Sequence, residues 1–244
     1  NAGTPMNGND ASGRNGKTGR APGNGRAAAY DEDSIRTLSS LEHIRLRTGM
    51  YIGRLGDGAD PDDGIYVLLK EVIDNAVDEF ITGHGRQVDV KVEAGHVCVR
   101  DFGSGIPLGK LVECVSVINT GAKYNDDIYQ FSVGLNGVGT KAVNALSASF
   151  RAVSYREGRY AEATFARGVL QAQVKEGRAS GAPDGTLIEF VPDNDIFGEY
   201  AYNLEFVERR LWSYACLNSG LRLVLNGQQR FESKQGLLDL LAAE

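Results

Sequence analysis

The chain has 244 residues, and 42% of them are hydrophobic, which is enough to bury the core of one domain. Its formal net charge is −6, and the first 29 residues hold four basic side chains against one acidic one, so the part from Tyr30 onward carries −9. Such an acidic body argues against a broad surface that grips a nucleic-acid backbone. No apolar run reaches the roughly 20 residues of a membrane span, and no signal-peptide pattern is visible, so we expect a cytoplasmic protein.

Residues 1–29 are rich in Gly, Asn, Ala and Arg and have almost nothing apolar to bury. We predict a disordered tail, whose first residues are typical of an expression tag. Within this tail, the stretch from Ala11 to Thr18 is close to the phosphate-binding G-x-x-x-x-G-K-T motif. No predicted strand precedes it and no helix follows, so we do not interpret it as a nucleotide site. The ordered domain is predicted at 30–244, with an N-terminal arm at about 30–48.

Capping, turn and periodicity signals divide the ordered domain into elements. In chain order we predict a short helix at about 34–41, a helical turn at 41–47, a loop at 49–53, a long helix at 64–81, a strand hairpin at 88–100, a helix at 107–119, a loop at 120–139 and a helix at 141–146. There follow four strands between 150 and 191, a helix at 203–217, a hairpin around Asn226-Gly227 and a last helix near Lys234. The predicted fold class is α+β, a two-layer sandwich with helices on one face of a mixed, mostly antiparallel sheet.

The long predicted helix carries an acidic stripe. Glu71, Asp74, Asn75 and Asp78 fall at i, i+3, i+4 and i+7, which places them on one face. We find no basic residue interleaved with them, and like charges at this spacing are unfavourable unless a cation offsets them. A bound divalent cation would do so. On the helix alone, a solvated acidic face is the favoured alternative.

Two Gly-rich segments follow the helix. Residues 101–107, D-F-G-S-G-I-P, come directly after a predicted strand, so Asp101 is placed to accept a hydrogen bond from a ligand, although an ordinary tight turn fits them too. Residues 133–146, V-G-L-N-G-V-G-T-K-A-V-N-A-L, open a helix whose unpaired amides suit phosphate groups. The polar stretch 124–133, preceded by T-G-A-K-Y at 120–124, is typical of a mobile lid.

In this order, the acidic helix, the D-x-G-x-G turn and the Gly-rich lid resemble the signature of the GHKL ATPases. These include DNA gyrase, ninety-kilodalton heat-shock chaperones, histidine kinases and a mismatch-repair protein. A finer resemblance is to the B subunits of bacterial type IIA DNA topoisomerases, gyrase and topoisomerase IV, and the wording of the lid favours topoisomerase IV. The similar segments are R-T-G-M-Y-I-G at 47–53, E-V-I-D-N-A-V-D-E at 71–79, the lid segment, and G-T-L-I-E-F at 185–190, which is similar to the strand that closes the adenine pocket.

The resemblance implies the GHKL ATPase fold, with ATP and Mg²⁺ as ligands. It implies that Glu71 is the general base that polarises the attacking water and that Asn75 is the Mg²⁺ ligand. Asp101 would accept from the adenine amino group, with Thr186 assisting through a water molecule. The other implied nucleotide contacts are Gly103 and Ile106 around the base, Lys123 at the γ-phosphate, Tyr129 on the lid, the loop residues Leu135, Asn136, Gly137, Val138 and Gly139, and Tyr30, which would reach the nucleotide of a partner copy.

The resemblance also implies how the domain is used. ATP binding would dimerise two copies through the N-terminal arm and close an entry gate for DNA. The DNA-cleaving A-type subunit would complete a heterotetramer, and DNA would be held by other domains, with no membrane involved. Turnover of this chain would be weak, because the transducer domain that supplies a Lys to the γ-phosphate in this family is absent from it. Two alternatives stay open, a chaperone-type GHKL ATPase and an ATP-binding module whose hydrolysis has decayed.

Three departures from the family pattern bear on the site. The family's Arg is Ser104 here, which predicts that Glu79 lacks its usual partner. The Lys that follows the lid Tyr is Gln130. An Arg that lines the outer pocket in many gyrases is predicted to be replaced by Glu162, which would remove contacts to coumarin-type inhibitors but not to ATP.

Overall fold

The computed structural model describes residues 38–118 and 137–242. These residues belong to one compact unit that begins at Leu38. The predictions of a disordered tail, of an ordered start near Tyr30 and of a mobile lid at 124–133 lie outside the described residues.

Within the described ranges, eight strands form a single sheet in the order β5-β4-β3-β6-β2-β1-β7-β8. Neighbouring strands are antiparallel except β1 and β7, which run parallel. Alternate residues of β1 are buried, beginning with Val88 and Val90, while those between them are less buried, so one sheet face is covered. The strands are β1 Gln87–Glu93, β2 His96–Asp101, β3 Ser147–Arg156, β4 Arg159–Ala166, β5 Val169–Arg178, β6 Gly185–Pro192, β7 Arg222–Leu225 and β8 Gln229–Phe231.

Helices cover the apolar face of the sheet, with α3, α5 and α7 all packed against strands. The α+β prediction, with a mixed and mostly antiparallel sheet, is therefore confirmed. The helices are α1 Ser40–Leu46, α2 Gly49–Ile52, α3 Gly64–Ile81, α4 Leu111–Ser116, α5 Gly139–Ala145, α6 Asn194–Phe197, α7 Leu204–Leu217 and α8 Leu237–Ala242. Within 38–118 and 137–242, none of the helices is long and apolar enough to cross a membrane.

Helix α3 has the predicted bounds and is the central helix of the layer. Its apolar residues recur at helical spacing, and Ile65, Leu69 and Ile73 are fully buried. The loop before it is fixed by Asp63, which is 0% exposed, accepts from the Gly58 amide at 2.9 Å and pairs with Arg54 Nε at 2.8 Å. The start of α3 is thereby held in place.

Helix α1 is tied to the C-terminal end of α5. Arg45 donates from Nη1 to the Ala145 carbonyl at 2.7 Å and from Nη2 to Asp193 at 2.8 Å. Cations are favourable at a helix C-terminus, where carbonyl groups lack helical partners. Since α5 begins at the Gly-rich segment, this contact helps to fix the position of that segment in the fold.

Two predicted elements have wrong bounds or type, and one helix was missed. The loop predicted at 49–53 contains the one-turn helix α2, and the helix predicted at 107–119 is a 3-10 turn at Leu108–Lys110 followed by the shorter α4. Helix α6 was not predicted at all. Four residues are too few to display a 3.6-residue period, so one-turn helices leave almost no signal in a sequence. The one local signal for α6 is Asp193, whose side chain caps the start of the helix.

Candidate functional site

Asp101 is a carboxylate at the end of the central strand β2, and it is only 7% exposed. Its Oδ1 accepts the Gly103 amide at 2.9 Å and the Thr186 amide at 3.0 Å. One donor belongs to the turn that follows β2, and the other belongs to the neighbouring strand β6. The structure therefore brings together three of the residues predicted to bind a nucleotide.

Burial governs the chemistry of this carboxylate. Removal from water raises the pKa of Asp101 to about 6, and the two backbone hydrogen bonds oppose that rise. Among the residues that the structure describes, none donates a hydrogen bond to Oδ2. Buried polar groups are normally hydrogen-bonded, so Oδ2 is suited to receive a donor from a ligand, such as an amino group.

Glu79 lies on α3, one residue beyond the acidic stripe, and contacts the turn that follows β2. Its Oε2 accepts from both the amide and the hydroxyl of Ser104, each at 2.7 Å. Glu79 lacks the arginine that is its usual partner, as predicted, but Ser104 takes the place of that arginine in the contact. A serine hydroxyl is short enough to bond within the turn, so the contact survives without the longer Arg.

The far wall of the turn is provided by β3. Ser154 donates its hydroxyl to the Ile106 carbonyl at 2.6 Å, and Arg156 donates to the Gly105 carbonyl at 3.0 Å. Ile106, predicted to line the base pocket, is half-buried and packs against the core. Sequence reasoning missed Ser154 and Arg156, because neither belongs to a motif.

The structure does not place Glu162 at the outer pocket, where it was predicted to lie. Glu162 lies on β4 and pairs with Arg151 of β3 at 2.9 Å, and Arg151 also pairs with Glu189 of β6 at 2.5 Å. These three side chains form a cross-strand ion network. The basic residue beside the turn is instead Arg156, so the outer wall keeps a guanidinium.

The second Gly-rich segment meets α3 near its middle. A Cβ atom added at Gly139 would lie 1.9 Å from Glu71 Oε2, so only glycine permits this approach. Asn75 donates from Nδ2 to the Glu71 carbonyl at 2.9 Å and to the Thr140 hydroxyl at 2.8 Å. The predicted base and the predicted metal ligand are thus next to the start of α5. Thr140 was not predicted, although its place in the first turn of the helix was a usable signal.

The predicted phosphate loop is described only from Gly137 onward. Gly137 has a φ of 58°, which favours glycine, and Val138 precedes the first residue of α5, Gly139. The backbone amides at this end have no partner within the helix and suit an anion. Tyr30, Lys123, Tyr129, Leu135 and Asn136 lie outside the described residues.

The acidic stripe does not act as one unit. Asp74 is 2% exposed, is paired with Lys70 at 2.5 Å and accepts a hydrogen bond from the Tyr214 hydroxyl of α7. The interpretation of the stripe as free of cations was therefore wrong, because Lys70 lies four residues before Asp74 on the same helix. Burial together with the Asp74 carboxylate raises the pKa of Tyr214. Asp74 is a structural group between two helices.

Helix α3 sets the distance between the two halves of the site. Glu71 contacts the segment at Gly139, and Glu79 contacts the turn at Ser104. Eight residues of helix rise by about 12 Å. A carboxylate pocket and an anion-binding helix start separated by this length suit the base and the phosphates of one extended nucleotide.

A divalent cation fits the phosphate half. Among the described residues, no group of three or more His, Cys, Asp or Glu side chains could hold a metal ion. Mg²⁺ commonly takes one or two protein oxygens and completes its shell with phosphates and water. The nitrogen of the Asn75 amide is held by Glu71 and Thr140, so the oxygen would be the coordinating atom.

A second groove lies on the opposite sheet face and has a volume of about 540 Å³. It is lined by parts of β1, β2, β7 and β8, including Cys98, Arg100 and Arg230. Burial raises the pKa of the Cys98 thiol to about 11, which makes it a poor nucleophile. None of the residues predicted to bind a nucleotide lines this groove, so we place the candidate site around Asp101 and Glu71.

Comparison with known proteins identifies the family of the chain. A family model described as "Histidine kinase-, DNA gyrase B-, and HSP90-like ATPase" matches residues 60–193, a range that contains both Asp101 and Glu71. The match covers more than half of the chain. The protein belongs to this ATPase family.

Particular relatives are more specific. The chain is 60% identical to the B subunit of DNA topoisomerase 4 from Borreliella burgdorferi, over 88% of this chain and 35% of the relative. It is 36% identical to the B subunit of DNA gyrase from Mycoplasma genitalium, over 82% of this chain and 32% of the relative. The chain thus spans about a third of the length of these curated relatives.

A solved structure resembles the fold. It is the 43K ATPase domain of Thermus thermophilus gyrase B in complex with an aminocoumarin, which matches with a TM-score of 0.69 and 30% identity. The match covers 84% of this chain and 55% of the other. The expected resemblance to the ATPase domains of these topoisomerases is confirmed.

The raised pKa of Asp101 makes folding depend on pH. Between the ordinary value of 3.8 and about 6, the folded chain keeps a proton that the unfolded chain has released. The free energy of unfolding therefore falls as pH rises through this window and levels off above it. Asp101→Asn removes the effect, so the stability of the wild type relative to this variant should fall by about 2 kcal/mol between about pH 4.5 and about pH 6.5 in urea unfolding. A difference that stays constant would contradict the burial of an ionisable Asp101.

Proposed function

We propose that this chain is the ATP-binding and ATP-hydrolysing domain of the B subunit of a bacterial type II DNA topoisomerase. The observation that carries the proposal is the buried Asp101 carboxylate, held by the Gly103 and Thr186 amides, at one end of a helix whose Glu71 meets a Gly-rich helix start further along. The base of ATP belongs at the first position and its phosphates at the second.

Oδ2 of Asp101 accepts a hydrogen bond from the adenine amino group. Gly103 and Ile106 border the base, and Thr186 supports Asp101 through its amide. A pocket built to accept a hydrogen bond discriminates strongly against bases that lack the donor, because a buried carboxylate would then stay unpaired. This arrangement selects adenine.

Glu71 is the residue that orients and activates the attacking water. Its carboxylate lies against Gly139, at the end of α5 where Gly137, Val138 and Gly139 offer backbone amides to the phosphates. Phosphoryl transfer to water depends mainly on positioning and on neutralisation of charge, with one carboxylate to accept the proton of the water. The side-chain oxygen of Asn75 would hold Mg²⁺, which when bound would supply part of that neutralisation.

The residues outside the described ranges complete the proposal. Lys123 contacts the γ-phosphate, Tyr129 and Leu135 belong to the lid, and Asn136 adds an amide to the phosphates. Tyr30 reaches the nucleotide of a second copy. ATP binding dimerises two copies through the arm and closes the DNA gate, in a cytoplasmic heterotetramer with the DNA-cleaving A-type subunit.

Topoisomerase IV is favoured over gyrase as the parent enzyme. The identity of 60% to the Borreliella topoisomerase 4 relative exceeds the 36% to the Mycoplasma genitalium gyrase relative. The names of these relatives also favour a topoisomerase over a chaperone. The intact Glu79–Ser104 contact supports a working site and not a decayed one.

The first prediction of this proposal concerns Asp101. Asp101→Asn should weaken binding of a non-hydrolysable ATP analogue with Mg²⁺ by about 100-fold, because the amide nitrogen in place of a carboxylate oxygen meets the adenine amino group with a donor. Isothermal titration calorimetry on the 244-residue chain measures this.

The matched control is Asp89→Asn, on β1 directly opposite Arg100 in the sheet register. Its side chain lies on the other sheet face and accepts from Gln87 at 2.7 Å. Binding by this variant should equal that of the wild type. Absence of binding in the wild type, or equal binding by Asp101→Asn, would refute the adenine pocket.

The second prediction concerns Glu71 in the full-length protein, assembled with its A-type partner. Glu71→Gln should lower ATP turnover by about 100-fold or more, since a general base contributes roughly 10²–10⁴-fold. Affinity for the ATP analogue should change little, because the amide keeps the size of the side chain. Glu113→Gln, on α4 and paired with Lys110, is the control and should leave both quantities unchanged. If ATP turnover by Glu71→Gln equals that of the wild type, the general base is a residue other than Glu71.

A further inference from the structure

Arg100 is the residue before Asp101, and its guanidinium joins two segments of chain. It donates from Nη1 to the Asp101 carbonyl, and from Nη2 to the Pro183 carbonyl at 2.6 Å and the Asp184 carbonyl at 3.3 Å. Residues 183 and 184 lie just before β6, whereas Asp101 ends β2. One side chain therefore fastens the start of β6 to the end of β2.

Two aromatic rings hold the guanidinium in position. Its central carbon lies 4.9 Å from the ring centroid of Phe102 and 4.7 Å from that of Tyr155. Both distances are within the range of a cation–π contact, and partial burial strengthens such contacts. Burial also lowers the pKa of Arg100, but a guanidinium stays charged at neutral pH. The planar guanidinium of Arg100 is therefore held in one orientation, as a fork with two donating nitrogens.

The backbone passes directly against this fork at Gly185. Gly185 has a φ of 126°, and a Cβ atom there would lie 2.3 Å from the Asp101 carbonyl oxygen and 2.5 Å from Arg100 Nη1. The next residue is Thr186, whose amide donates to Asp101 Oδ1. The Thr186 amide is thus two residues from the carbonyl of Asp184 that Arg100 holds.

The side chains of Arg100 and Asp101 project to opposite faces of the sheet, because neighbouring residues of a strand alternate. Asp101 is on the buried face, and Arg100 lines the groove on the other. Arg100 can therefore act on the base pocket only through the backbone and through Thr186.

We propose that Arg100 is a positioning residue that sets the affinity of this chain for the adenine base. The inference rests on the proposed ATP-binding function and adds a residue to it. Arg100 holds the Thr186 amide on Asp101 Oδ1, which fixes the carboxylate with Oδ2 directed at the ligand. Loss of the fork lets Thr186 move and costs affinity at the base while leaving the phosphate half unchanged.

The fold does not depend on this residue alone. Asp184 Oδ1 also accepts the Glu157 amide at 2.8 Å, so the segment stays attached to the β3–β4 turn when Arg100 is lost. Arg100→Met should therefore fold. Arg100→Lys keeps the charge but cannot reach both segments with a planar fork, so it should resemble Arg100→Met.

The control is Arg151→Met on β3. Arg151 occupies the same sheet face, since it shares a cross-strand row with Glu189 and Cys98, and it is similarly engaged by hydrogen bonds. Its hydrogen bonds run to Glu162 and Glu189, away from Asp101 and from the segment before β6. Arg151→Met therefore removes a guanidinium from the same sheet face without touching these segments, and it should bind nucleotide as the wild type does.

The experiment compares the 244-residue wild type, Arg100→Met, Arg100→Lys and Arg151→Met. Calorimetry with adenosine and with a non-hydrolysable ATP analogue should give affinities about tenfold weaker for both Arg100 variants, and the preference for the ATP analogue over its GTP counterpart should fall by a similar factor. Nuclear magnetic resonance should report faster hydrogen exchange at the Thr186 amide in the Arg100 variants only.

The outcomes separate this inference from the proposed function. If the wild type binds no adenine nucleotide, the proposed function fails and this inference fails with it. If the wild type binds and Arg100→Met binds equally well, or if Arg151→Met causes the same loss, only this inference fails. Full binding by Arg100→Lys would also overturn it, because charge without the fork would then suffice.

Discussion

Asp101 is held almost entirely out of water, and its two backbone donors come from different parts of the chain. The Gly103 amide is local, but the Thr186 amide is 85 residues away and reaches Asp101 only because β6 pairs with β2. A buried carboxylate without such donors would be strongly unfavourable. The order of strands in the middle of the sheet is therefore a requirement for the burial of this carboxylate.

Helix α3 holds the other parts of the site in position relative to Asp101. Glu79 fixes the turn beside Asp101, and Glu71 packs against Gly139, so both loops are positioned by one rigid element. Asp63 fixes the start of that helix, and the contact between Asp74 and Tyr214 attaches it to α7. The spacing between the turn after β2 and the start of α5 is thus set by helix geometry and not by loop conformation.

Much of this architecture could be predicted from the sequence. The 3.6-residue period of α3, the alternation in β1 and the Asn226-Gly227 turn are local signals, and each gave an element with nearly correct bounds. Asp101, Glu71 and Asn75 were found because they stand in motifs. At the candidate site, the predictions that failed depended on contacts between distant residues. The sequence around Asp74 does not indicate its contact with Tyr214, which lies 140 residues later. The sequence of the turn likewise does not indicate that the Ser104 hydroxyl reaches Glu79.

We propose that one nucleotide lies along α3, with its base at Asp101 and its phosphates at the start of α5. A crystal structure of the chain with a non-hydrolysable ATP analogue and Mg²⁺ tests this most directly. The account predicts the adenine amino group within hydrogen-bond distance of Asp101 Oδ2, and the metal on the Asn75 side-chain oxygen beside the phosphates. A nucleotide bound in the groove of Cys98 and Arg230, or one whose base does not contact Asp101, would contradict it.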